Sequence, residues 1–132
     1  MLLEISRLYL QDSIMQKISD FEFQVTSVNV GDDSSTLDME ADLDKYGKTY
    51  ISLTLKVGTN DGNTGSYNGN ARTITETGEL IRASLQGIWK REGALMHLKG
   101  LDNASNGDLN FGESTLDLIE KTCVGSVYDA WS

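Results

Sequence analysis

Asp102, Asn106, Gly107 and Glu113 in "DNASNGDLNFGE" fall at the first, fifth, sixth and last positions of the loop that wraps a calcium ion, with Leu109 at its usual apolar position. Such a loop works by surrounding the ion with oxygens. Ala104, at the third position, carries none, and the flanks "ALMHLKGL" and "TLDLIE" read as strands where helices are required. The stretch is therefore expected to connect two strands, with Asn and Gly supplying positive φ and Asp capping its own backbone.

A second constellation is basic. If "NARTITETGELIRASLQGIWKREGALMHLKGL" folds as consecutive hairpins, one face collects Arg72, then Arg82 and Lys90, then His97 and Lys99. A three-residue loop Glu76-Thr77-Gly78, with Gly78 left-handed, sets Arg72 directly across from Arg82. Like charges facing each other on a sheet are unfavourable by up to about 1 kcal/mol unless an anion lies between them. Arg72, Arg82, His97 and Lys99, together with Tyr67 from the first hairpin, form the candidate ligand-binding set for a carboxylate, a phosphate or a hydrophobic molecule. The competing expectation is a solvated outer face. Burial of Arg72, Arg82 or His97 around a pocket would favour binding or catalysis, and exposure of all three a structural role.

Catalytic chemistry finds less to work with. Cys123 is the only cysteine, sits in a strand-like "TCVGSVY" and is expected to be a small core hydrophobe. Its pairing with His97 as a nucleophile and base would need the fold to bring them together. His97 has no second His or Cys nearby, so neither a metal site nor a cofactor is expected. No catalytic residue is assigned.

The elements carrying these residues are mostly strands. "TLDMEADLD" (36–44) alternates Leu37, Met39, Ala41 and Leu43 with Asp38, Glu40, Asp42 and Asp44. "YISLTLKV" (50–57) alternates in the same way and is expected to pair with it, bringing Lys48 and Lys56 toward the acidic row. The four carboxylates are expected to be a solvated face, because side chains two apart on a strand point away together. In "EFQVTSVNV" (22–30) the apolar phase slips near Ser27, as at a bulge. A two-residue turn at Glu92-Gly93 sets Trp89 against Met96 and leaves Ile81, Ala83, Leu85, Gly87, Met96 and Leu98 on one apolar face. Residues 3–19 place Leu3, Leu10, Ile14 and Ile18 at helical intervals and predict an N-terminal helix packed on the sheet. "VYDAWS" ends the chain with Trp131 either docked on a neighbour or plugging its own barrel.

Composition narrows the classes. At 132 residues, with 39% hydrophobic and 23% charged, the chain suits one globular domain. A net charge of −9 opposes nucleic-acid and anionic-membrane binding. The charge is uneven: only acids occur from Asp20 to Asp44, whereas residues 46–101 carry seven bases against four acids. The single cysteine and the lack of a secretory signal pattern lead to a cytoplasmic expectation.

Taken together, these elements predict a mainly β, single-domain antiparallel barrel of about eight strands over 21–128. The segment "GSYNGNARTITETGELIRASLQGIWKREG" (65–93) resembles the glycine-punctuated hairpins of calycin-like, allene-oxide-cyclase-type small bacterial barrels. "GIW" (87–89) also resembles the lipocalin Gly-x-Trp signature, although that family carries it on the first strand. The resemblance implies an antiparallel barrel, often a homodimer or higher oligomer, whose lumen holds a hydrophobic or amphipathic small molecule. The function it suggests is ligand binding rather than catalysis. The alternatives are a cyclase or isomerase using the cavity and a non-catalytic structural or regulatory oligomer.

Overall fold

The computed structural model describes residues 15–58 and 61–132. Eight strands follow in chain order: β1 (Gln16–Val30), β2 (Ser34–Leu43), β3 (Gly47–Val57), β4 (Thr64–Ile74), β5 (Leu80–Glu92), β6 (Leu95–Ala104), β7 (Leu109–Asp117) and β8 (Thr122–Asp129). Each pairs antiparallel with the next, and β8 returns to β1, so the sheet closes as an up-and-down barrel with no free edge.

Two-residue alternation decides what faces the lumen. Leu37, Met39 and Ala41 from β2, Leu53 and Leu55 from β3, and Ile81, Leu85 and Trp89 from β5 are buried. Arg72 and Arg82, Lys90 and Lys99 alternate with them and are exposed. The slip near Ser27 is a register shift between Val25 and Ser27, which returns β1 to phase against β2.

Hairpin registers show how turns set the faces. Ile74 pairs with Leu80, Gly78 has φ 85, and Arg72 lies opposite Arg82, as the three-residue loop requires. The β5–β6 turn is Gly93-Ala94 rather than Glu92-Gly93: Glu92 pairs with Leu95, and Trp89 with Leu98 instead of Met96. Gly93 takes the positive φ, at 63°, that such a turn needs. This slides the register by two residues, the side-chain period, so every side chain keeps its face.

The N-terminal helix expected over 3–19 requires correction. Residues 3–14 lie outside the described residues, but Gln16 to Ser19 begin β1 and pair with β8, Gln16 opposite Asp129 and Lys17 opposite Tyr128. The ladder that closes the barrel outweighs a helical spacing of apolar residues, because β8 would otherwise present an open edge. Trp131 is 77% exposed and does not plug the barrel. Among the described residues, no helix is long and apolar enough to cross a membrane.

Close approach explains a line of inward glycines. Tyr67 lies opposite Gly87, which lies opposite Gly100. A Cβ on Gly87 would come 2.5 Å from Tyr67 Cζ, and one on Gly100 would overlap Tyr67 Oη and the Gln86 carbonyl. The phenol ring therefore lies flat across β5 and β6 in the space that side chains would occupy. Gly100→Ala is expected to destabilise the protein by roughly 1–3 kcal/mol through overpacking, read from urea midpoints. An unchanged midpoint would show that the ring is free to move.

Candidate functional site

The barrel is a cup. At the end formed by residues 31–33, 93–94 and 118–121, the lumen is filled by Leu37, Leu55, Trp89 and Leu116, all buried. Trp89 is anchored there by its Nε1–H, which lies 3.0 Å from both the Lys56 and the Ser66 carbonyls. Toward the other end lies a cavity of about 130 Å³.

Small side chains leave this space open. Ala71 on β4, Ala83 on β5 and Ala104 on β6 are successive cross-strand partners, and all three line the cavity. Phe21, Phe23, Ile51 and Leu85 are among the residues of the remaining wall, with Phe21 and Phe23 packed edge to face at 5.3 Å. Thr49 and Thr73, both buried, share a hydrogen bond of 2.7 Å, so their hydroxyls satisfy each other.

The mouth is braced from side to side. Tyr46, in the β2–β3 turn, reaches across to the β6–β7 turn, where its hydroxyl donates to Asp108 Oδ2 at 2.6 Å and accepts from Asn110 Nδ2 at 2.9 Å. Lys45 lies 3.2 Å from the same carboxylate. Bonding from Tyr46, then Lys45 and Asn106, holds the Asp108 carboxyl below its ordinary range. Burial, followed by that bond to Asp108, pushes the Tyr46 phenol up.

Among the described residues, one carboxyl group lines the cavity. Asp102 continues the inward phase of β6 after Met96, Leu98 and Gly100, opposite Leu85 and Asn110. Its carboxyl makes no hydrogen bond or ion pair with another described residue. A Cβ on Gly112 would meet nothing within 4 Å except Asp102 Oδ2, at 3.8 Å, so the carboxyl faces open space. Burial pushes its pKa up to about 7. Burial, with smaller contributions from Asp102 and Cys123, also raises the Tyr67 phenol. The Cys123 thiol is raised by burial against a hydrogen bond from Ser114.

The calcium-loop template is thereby taken apart. Asp102 points into the lumen, whereas Glu113 lies outside on β7 and accepts from the Tyr128 hydroxyl at 3.2 Å. Asn106 and Gly107 form the turn between β6 and β7: Asn106 Oδ1 accepts the Asp108 amide, and Gly107 has φ 95. Only residues 105–108 of the stretch form the strand connection; 102–104 belong to β6 and 109–113 to β7, which turns Asp102 inward.

The predicted ligand set is divided between two surfaces. Tyr67 lines the cavity. Arg72, Arg82 and Lys99 are exposed on the outer wall, and His97 is half-buried there, its Nε2 3.2 Å from Glu92 and its Nδ1 3.3 Å from Thr115 Oγ1. Lys99 faces Glu113 across the ladder. Alternation forces this division, because the basic residues occupy the opposite phase from Tyr67. Arg72 and Arg82 are exposed, whereas half-buried His97 and exposed Lys99 line a depression of about 260 Å³ on the outer wall together with Glu113, Thr115 and Ser126. Cys123 points inward and His97 outward, which separates the proposed dyad.

Asp102 was legible as an acid but not as a lumen residue. Extending the apolar phase from Leu98 through Gly100 to Asp102 and Ala104 would have placed a carboxylate on the inner face. Neither a family model nor a curated protein nor a solved structure matches the chain.

Proposed function

We propose that the protein is a small-molecule-binding barrel whose ligand sits in the lumen, in the manner of the calycin-like barrels it resembles. The observation that carries this reading is the alanine-walled cavity above a packed floor. An eight-stranded barrel is wide enough either to be filled by its own side chains or to hold one small ligand, and Ala71, Ala83 and Ala104 leave the space unfilled. Apolar cavities of about 150 Å³ admit benzene, which sets the scale of the apolar part of the ligand. Outward Asp38, Glu40, Arg72 and Arg82 give the outer wall a charged character unlike the apolar band of a lipid-facing barrel. This supports a protein that works in water, in keeping with the cytoplasmic expectation.

Toluene, present at about ten times its dissociation constant, is expected to stabilise the protein by about 1.4 kcal/mol and raise Tm by several degrees. Ala83→Phe, which inserts a ring into the same space, should keep the barrel and lose the response. A response that survives Ala83→Phe would place the ligand elsewhere, and no stabilisation by toluene or other small apolar probes would remove the proposal.

A further inference from the structure

We infer that the lumen selects a small apolar ligand carrying a protonated amine, with the Asp102 carboxylate as its counter-ion. The inference rests on the lumen-binding reading and adds the polar group the ligand must bring. Among the described residues, the cavity wall contains Asp102 but no Lys, Arg or His. The neighbouring cation, Lys45, is held at the rim by Asp108. Asp102 is half-buried against an apolar wall, where a carboxylate is unfavourable unless it is paired, and no other described residue hydrogen-bonds it. The open space over Gly112 leaves room for a donor to approach Oδ2 from the cavity.

An ammonium group on a compact hydrocarbon fits both halves of the site. Its apolar body occupies the space against Ala71, Ala83 and Phe23, and its charge offsets that of Asp102. A hydrophobic carboxylate meets the opposite situation, a like charge at close range. The other titratable groups lining the cavity are Tyr46, Tyr67 and Cys123, which burial keeps in their neutral forms. Asp102 is thus the group whose ionisation governs amine binding. Because it titrates near neutrality, amine affinity should rise from pH 5 to pH 8, while affinity for an uncharged analogue should stay level.

The test is calorimetric titration of the full chain with benzylamine, toluene and benzoate, which share one ring and differ in charge. At pH 8 benzylamine should bind at least ten-fold more tightly than toluene, and benzoate more weakly than either. Asp102→Asn should abolish the advantage of benzylamine, bringing it to the toluene level or below. At pH 5 the wild-type preference for benzylamine should shrink. Equal binding of benzylamine and toluene by the wild type, or a preference that persists in Asp102→Asn, would overturn the inference while leaving the lumen site intact. Failure of all three probes to bind would overturn the lumen reading and the inference together.

Discussion

Asp102→Asn is expected to stabilise the protein at pH 8 by a few kcal/mol, with a ceiling of about 4 kcal/mol, and to add little of this gain at pH 4. The carboxyl has a folded pKa of about 7 against an ordinary value of 3.8. Each unit of difference corresponds to about 1.36 kcal/mol between protonation states. Below pH 4 the group is protonated in both folded and unfolded chains and carries no ionisation penalty. Between pH 4 and 7 the folded chain binds more protons than the unfolded one, so stability falls as pH rises. Above pH 7 the group is ionised in both and the full cost of the buried charge is present. Asparagine keeps the shape and removes the charge.

Asp20, Asp38 and Asp108 act in the opposite direction, because hydrogen bonds from Lys17, Ser27 and Tyr46 respectively lower their pKa values. The stability they contribute is present above their ordinary pKa and lost as pH falls toward the lowered values. They are common to wild type and variant, so they cancel in the difference. Urea unfolding of both proteins at pH 4, 5.5 and 8 measures that difference directly. A gain of the same size at all three values would mean that Asp102 ionises as freely in the barrel as in the unfolded chain.

Trp89→Ala is expected to cost about 3–5 kcal/mol and to deepen the cup. Trp89 is buried in the packed end, pairs with Leu98 and covers Gly65, where a Cβ would come 2.6 Å from its ring. Its truncation removes the largest inward side chain of β5, leaves a void between Leu55 and Leu98, and withdraws a donor from the Lys56 and Ser66 carbonyls. A shift in the urea midpoint checks the cost. The change of shape is checked by ligand size: a probe longer than toluene, such as butylbenzene, should bind the variant more tightly than it binds the wild type. A loss of stability without any change in ligand size preference would mean that the neighbouring side chains collapse into the void.

The two substitutions act at different levels of the molecule. Trp89 maintains the floor that makes a cup of the barrel, and Asp102 supplies the one carboxylate that the described residues place within the cup. Tyr67 links them physically: its ring spans Gly87 and Gly100 and ends beside the level of Asp102. Arg72 and Arg82, facing each other across β4 and β5, lie on the wall's outer side.

Much of the barrel is written in local pattern. The alternation of Leu37, Met39 and Ala41 with Asp38 and Glu40 identifies a half-buried strand, because successive side chains leave a strand in opposite directions. Gly78 in its positive-φ position sets the β4–β5 register to the residue, and the apolar slip at Ser27 marks the bulge. Even the misplaced β5–β6 turn preserved the faces, since an error of two residues is one full period. Each of these signals depends on residues close together in the chain.

Closure is a different matter. Gln16 to Ser19 end a stretch whose apolar residues are spaced as in a helix, yet they form a strand because Val127 to Asp129, more than a hundred positions away, present the last open edge. The cavity likewise arises from distant partners. Ala71, Ala83 and Ala104 belong to three strands and become one wall only when their registers align them. Local motif placed Asp102 at the head of an incomplete calcium-loop pattern within an expected strand connection, and the alternation that runs from Leu98 through Gly100 to Asp102 sets its inward face. Its meaning as a lone carboxylate in an apolar enclosure came from the tertiary structure, because desolvation is a property of everything that surrounds a group and not of its neighbours in sequence.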